Sequence, residues 1–253
     1  MFWYDGSLID GSQLQLDIGE PGLCYGATSF TTMRVYNRSL THSFTRWQDH
    51  CDRLSTTITA FHWQQPNWQR LKQGVEILSE HFPILRIAIF PCGTEWITGR
   101  QLPADLQQRQ ANGITAWIAS DPLYRRNLAP YKTGNYLSAY LARQRALQLD
   151  AQEAILIDLD GNWLETSTGN LWGWQNNCWY TPHLDLGILP GIARSRWLDF
   201  FRRRQIKVQE NIWTPEFVAR IEALAYSNCV VDFVPIQTVM TLKERTNYPL
   251  KRP

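Results

Sequence analysis

With 253 residues the chain can bury a full core, as one large domain or as two of about 100 to 150 residues. A composition that is 44% hydrophobic and 19% charged, with 12 Trp, excludes a disordered chain, which lacks the apolar surface to offset its ordering entropy. A net charge of +2 argues against nucleic acid as a partner, and the one dense basic run, Arg202–Arg204, falls where a helix is expected to end and complements its dipole. No apolar run approaches the ~20 residues of a membrane span, and Met1–Asp10 lacks a signal-peptide pattern, so a cytoplasmic protein is expected. The five cysteines (24, 51, 92, 178, 229) show no CxxC spacing, and no two of the five histidines sit at ligand spacing. Reduced thiols and no metal are expected.

Along the chain, Phe44, Trp47, Cys51, Leu54, Ile58 and Phe61 recur at steps of three and four, predicting an amphipathic helix between Ser43 and Trp63. Trp68, Leu71, Val75, Leu78 and Phe82 predict a second helix after Pro66. Ile84–Phe90 and Ile114–Ala119 read as strands, so residues 1–119 are expected to form a small α+β domain. Residues 120–131, with two prolines and no period, are expected to link it to a larger domain at 132–253. In that part, Gly134–Leu149 looks helical. Two hairpins are expected around Asp160-Gly161 and Asn176-Asn177, a helix after Gly187–Gly191, and a strand at Val230–Ile236 after a turn at Ser227-Asn228.

The common nucleotide, hydrolase and metalloprotease motifs are absent. What is left is a scattered set: Lys132 after the proline-bounded linker, Glu165 at a strand end, and Gly191-Ile192-Ala193 at a helix start, where backbone N–H groups can meet an anion. Singly, each is ordinary. A linker lysine is usually a solvated charge, a strand-end glutamate surface decoration, and a Pro-Gly before a helix simple capping.

Together with other segments they resemble the class IV aminotransferase and aminodeoxychorismate lyase family. Phe30-Thr31-Thr32-Met33-Arg34-Val35 is similar to the FTTxRV signature of its lyase branch, and His50-Cys51-Asp52-Arg53-Leu54 to the HxxRL helix. Lys132-Thr133-Gly134-Asn135-Tyr136 resembles the lysine motif, and Glu165 through Asn170-Leu171-Trp172 the E(x4)NLF pattern. Leu189–Arg194 is similar to LPGITR, and Ser227-Asn228-Cys229 with Val234-Pro235-Ile236 to the closing segment. The sequence departs from the family where GDGxF reads Gly26–Phe30 and where Ala193 replaces a threonine. The arginine-glycine loop is barely recognisable in Pro91–Arg100, so Arg100 and Arg86 both stand as substrate-binding candidates, with Tyr25 beside them.

The resemblance implies a two-domain fold type IV α+β architecture (D-amino acid aminotransferase-like), whose larger domain has a β-barrel-like core, and a homodimer. It implies pyridoxal 5'-phosphate as cofactor, tethered by Lys132, which also moves the proton. Arg53, Tyr136, Asn170, Ile192, Ala193, Asn228 and Cys229 are the other expected cofactor contacts, and Glu165 faces the ring nitrogen. Thr32 is the expected contributor to lyase substrate placement. The implied reaction is conversion of 4-amino-4-deoxychorismate to 4-aminobenzoate and pyruvate, a step in folate precursor synthesis. The alternatives are a class IV aminotransferase for branched-chain or D-amino acids and, from another class, a non-catalytic cofactor-binding or scaffold protein.

Overall fold

The computed structural model describes residues 1–253, which pack as two compact units, Met1–Pro103 with Tyr131–Asn135, and Ala104–Pro130 with Tyr136–Pro253. The first unit is built on an antiparallel sheet of β1 (Phe2–Tyr4), β2 (Ser7–Ile9), β3 (Ser29–Arg34), β4 (Ile84–Ile89) and β5 (Glu95–Arg100), in the order β2-β1-β5-β4-β3. A short helix, α1 (Pro21–Cys24), precedes β3. Alternation along the strands sends Trp3, Met33, Leu85, Ile87, Ile89 and Ile97 to one face. There they pack against Leu54 and Ile58 of α2 (Trp47–Ala60) and Leu71, Val75 and Leu78 of α3 (Trp68–Ser79), the two helices expected from their apolar stripes.

The second unit holds β6 (Ile114–Ala119), β7 (Glu153–Ile157), β8 (Trp163–Thr166), β9 (Asn170–Gln175), β10 (Cys178–Pro182), β11 (Val208–Asn211), β12 (Ala223–Asn228), β13 (Asp232–Met240) and β14 (Arg245–Asn247). Six of these close into a barrel in the order β9-β12-β13-β6-β7-β8, sealed where Glu165 of β8 pairs with Asn170 of β9. Closure leaves no free rim on those six strands. Around them lie α4 (Leu106–Asn112), α5 (Leu137–Gln148), α6 (Ile192–Arg203) and α7 (Pro215–Val218). Ala139, Ala142 and Ala146 let α5 approach β6 and β7 closely, while Leu198 and Phe201 of α6 bury Trp172, Trp179 and Phe233. The Asn176-Asn177 turn has φ of 50° and 58°, the left-handed pair that a two-residue hairpin requires. No helix is long and apolar enough to cross a membrane.

Three expectations shift. Ile114–Ala119, read with the first 119 residues, pairs in parallel with β13 and β7 and so belongs to the second unit. Its near-continuous burial is that of a strand covered on both sides, and local sequence does not encode which partner such a strand takes. Conversely, Tyr131–Asn135 joins the first unit, since Lys132 C=O accepts from Phe30 N–H (2.8 Å) and Gly134 N–H donates to Thr28 C=O (2.7 Å). The break expected at 120–131 is thus drawn by packing at 103/104 and around 131–135. Ser227-Asn228, read as a turn, ends β12, and the chain reverses at Cys229–Val231.

Candidate active site

In the first unit the sheet face opposite the helices carries Phe30, Thr32 and Arg34 of β3, Arg86 of β4, and Trp96, Thr98 and Arg100 of β5. The register sets Thr32 beside Arg86 and Arg86 beside Thr98, with Arg34 and Arg100 both opposite Ile84. The three arginines therefore occupy neighbouring positions on one face. Burial, and then the charge of Arg100, pushes the Arg86 guanidinium below its ordinary pKa.

Phe30 is the hub of this face. The Arg86 guanidinium lies 4.1 Å from its ring centroid and Lys132 Nζ lies 4.8 Å from it. Lys132 itself is half-buried, held by the backbone pairing with β3 and by the bridge between Ser29 and Thr133. Gly134 must be glycine, because an added Cβ would come within 2.5 Å of both Gly26 C=O and Thr28 Oγ1.

On the helix side of the same sheet, Thr31 Oγ1 and His50 Nδ1 form a 2.6 Å hydrogen bond in the buried core. The His50 pKa is pushed well below the ordinary imidazole range by burial and then by the charges of Arg53, Lys132 and Arg46. Arg53 follows His50 by three residues and so shares its helix face. Lys132 and Arg53 thus both bear on one neutral imidazole. Tyr25 stands apart, 80% exposed at the end of α1.

In the second unit the barrel seam carries the remaining candidates. The Glu165 side chain is ion-paired with Arg126 and accepts the Leu189 N–H at its other oxygen (3.2 Å). Asn170 Nδ2 donates to Leu189 C=O at 2.9 Å, so the carboxylate, the amide and the Leu189–Ala193 turn form one assembly. α6 begins at Gly191 with no side chain capping its first turn, and Ile192 and Ala193 there are buried. An added Cβ on Gly191 would lie 1.9 Å from Asn170 Oδ1. An uncapped helix start attracts an anion.

Between Glu165 and Asn170, the Ser167 and Thr168 hydroxyls donate to buried Glu153 at 2.5 and 2.6 Å, and Thr168 Oγ1 also accepts from Asn228 Nδ2. Burial raises the Glu153 pKa, against the lowering pull of these hydroxyls and Arg143. Asn228 Oδ1 accepts from Val230 and Val231 N–H, so its side chain is occupied in holding the turn that contains half-buried Cys229. The Tyr136 ring lies under Arg126 (4.5 Å) and joins Glu165 through that guanidinium. Sequence reasoning did not find Arg126, Phe30 or the Thr31–His50 pair. The step of three from His50 to Arg53 was a usable signal for the last, whereas nothing in residues 120–131 marks Arg126.

The sequence profile described as "Amino-transferase class IV" matches residues 28–239. The chain belongs to the class IV aminotransferase family. Members of this family are pyridoxal-phosphate-dependent enzymes acting on small molecules, and this chain is such an enzyme. It is 21% identical to an aminodeoxychorismate lyase of Vibrio harveyi, covering 99% of this chain and 95% of that one. It is 23% identical to a branched-chain-amino-acid aminotransferase of Escherichia coli K12, covering 94% and 84%. Among solved structures, a hypothetical aminotransferase from Mycobacterium tuberculosis in its PLP-bound form superposes with a TM-score of 0.82 at 17% identity, covering 94% of this chain and 90% of that one. That likeness shows the fold: a fold type IV enzyme of mixed α+β class.

Proposed function

We propose that this protein is an aminodeoxychorismate lyase, converting 4-amino-4-deoxychorismate to 4-aminobenzoate and pyruvate, and thereby serving folate precursor synthesis. The observation that carries the reading is the sheet face on which the Phe30 ring is shared by Lys132 Nζ and Arg86, with Arg34 and Arg100 at neighbouring positions. The substrate bears two carboxylates and a ring amine, which suits several cations beside one reactive amine. The nearly full-length likeness to the Vibrio harveyi lyase supports the same choice.

The residues fit the family's cofactor. The first unit offers a half-buried lysine for its aldehyde and Arg53 for its phosphate, and the second offers an uncapped, buried helix start that suits an anion and the Glu165 carboxylate for its ring nitrogen. When bound, pyridoxal phosphate supplies an electron-accepting ring and an aldehyde that exchanges amines.

Lys132 would hold the cofactor's aldehyde and, once freed by the substrate's ring amine, its Nζ would take the proton from the carbon bearing that amine. The Glu165 carboxylate would hold a proton on the cofactor's ring nitrogen. Arg86 and Arg100 bind the substrate carboxylates, Arg34 adds charge at the far end of the face, and Thr32, between Phe30 and Arg34, positions the ring. Loss of the C4 proton and cleavage of the neighbouring C3–O bond leave an aromatic ring, which drives the step, and the departing enolpyruvate takes up a proton at its methylene carbon to become pyruvate. A homodimer is part of this proposal.

The test mixes cofactor-loaded protein with enzymatically generated aminodeoxychorismate and follows 4-aminobenzoate and pyruvate, with Lys132→Ala as the blank. Equimolar products from wild type alone are expected. No product, with cofactor-band changes on adding branched-chain or D-amino acids, would instead establish an aminotransferase, the reading that the Escherichia coli relative favours.

A further inference from the structure

We propose that Arg126 is a positioning residue that keeps the Glu165 carboxylate charged and aimed at the cofactor's ring nitrogen. The proposal rests on the reading of Glu165 given above. Both side chains of the pair are only 5% exposed. A carboxylate this buried takes up a proton unless a cation or hydrogen-bond donors hold it ionised. Here one oxygen meets the guanidinium and the other meets the Leu189 N–H. A protonated Glu165 would have lost the negative charge that retains a proton on a ring nitrogen.

Two observations set this pair apart from an ion pair that only braces the fold. First, it borders a cleft of about 470 Å³ that is also lined by Pro130, Leu156, Asp158, Asp160 and Gly187, so the pair is not sealed in the core. Second, Arg126 is held at further points besides Glu165. Its other terminal nitrogen donates to Ala129 C=O at 3.1 Å, and its plane lies 4.5 Å from the Tyr136 ring centroid. Ala129 and Tyr136 flank Tyr131–Asn135, the five residues that carry Lys132. One guanidinium therefore orients the acid and anchors the chain on either side of the lysine. A lysine at position 126 would supply the charge without the planar, forked set of donors.

The test titrates pyridoxal phosphate into the apo forms of wild type, Arg126→Met, Arg126→Lys and the Arg126→Met/Glu165→Gln double variant. The visible band is followed between about pH 6 and about pH 8, and thermal melts report folding. Wild-type affinity should show no dependence on Glu165 ionisation over this range. Arg126→Met should bind about tenfold more weakly at the acid end and recover as pH rises, because the buried carboxyl must first lose its proton, a factor of ten per pH unit. Arg126→Lys should fall between the two.

The double variant has no buried charge left to pair. It should fold even if Arg126→Met does not, and bind weakly at every pH. Arg126→Met matching wild type in affinity and band position at every pH would overturn the inference while leaving the role of Glu165 intact. If the single variant does not fold, a double variant that binds as tightly as wild type overturns the reading of Glu165 and, with it, this inference. A wild-type protein that develops no band would overturn the reading of Glu165 and this inference together.

Discussion

At the scale of single residues, His50 carries a consequence for stability. Its pKa is depressed in the folded chain, so below its unfolded value of about 6.5 the unfolded state binds a proton that the native state refuses. The contribution is fully present above that pH and is lost as pH falls below it, at about 1.4 kcal/mol per pH unit. Urea midpoints between neutral pH and about pH 5 should therefore fall more steeply for wild type than for His50→Gln, which can still bond Thr31 but does not titrate. Equal slopes would mean that His50 is protonated in the native state.

This residue also shows what sequence can tell. The HxxR spacing places His50 and Arg53 on one helix face, but the partner, Thr31, is a strand neighbour known only from the fold. Thr32, singled out in the sequence, turns out to share the sheet face with Arg86, while its neighbour Thr31 faces the core. Alternation along β3 decides which threonine does what, and alternation cannot be assigned a face until the helices that cover one side are in place.

At the scale of elements, periodicity was legible wherever an element buries one stripe. α2, α3, α6 and both hairpins of the second unit fall close to their expected positions, because apolar spacing and turn chemistry act locally. Strand partnership was not legible. β6 was grouped with its neighbours in sequence, and β5 was read as a loop although Ile97 and its alternating neighbours complete the first sheet. The element that supports the candidate anion site is the start of α6. There Gly191 has an ordinary φ of −69°, so its need for glycine comes from contact with Asn170 and not from backbone strain. Gly191→Ala should cost about 1 to 3 kcal/mol through that overlap. It should also weaken pyridoxal phosphate binding by more than Asn170→Ala/Gly191→Ala does, since the double variant removes the obstructing amide. Binding and melting temperature unchanged in Gly191→Ala would show that the turn relaxes freely.

For the molecule as a whole, the family and the two-unit α+β plan could be read from six ordered segments, whereas the division between units could not. Tyr131–Asn135 crosses back to the first unit through two backbone hydrogen bonds, and backbone pairing leaves no compositional trace. That crossing bears on solubility. The outermost strand of a sheet presents a row of unpaired amides and carbonyls that can recruit another chain, and β3, with β4 as its sole strand neighbour, is such a strand. The lysine segment caps the first residues of that row. Gly134→Pro removes the N–H that reaches Thr28 and sets a Cβ against Gly26 and Thr28, so it lifts the segment off β3, and should raise light scattering on gentle heating and speed deuterium uptake at Phe30. Scattering equal to wild type would assign the protection elsewhere. If scattering rises, the peptide that carries Lys132 is also a guard strand for the edge of the first sheet, and selection on Tyr131–Asn135 acts through protein lifetime as well as through turnover.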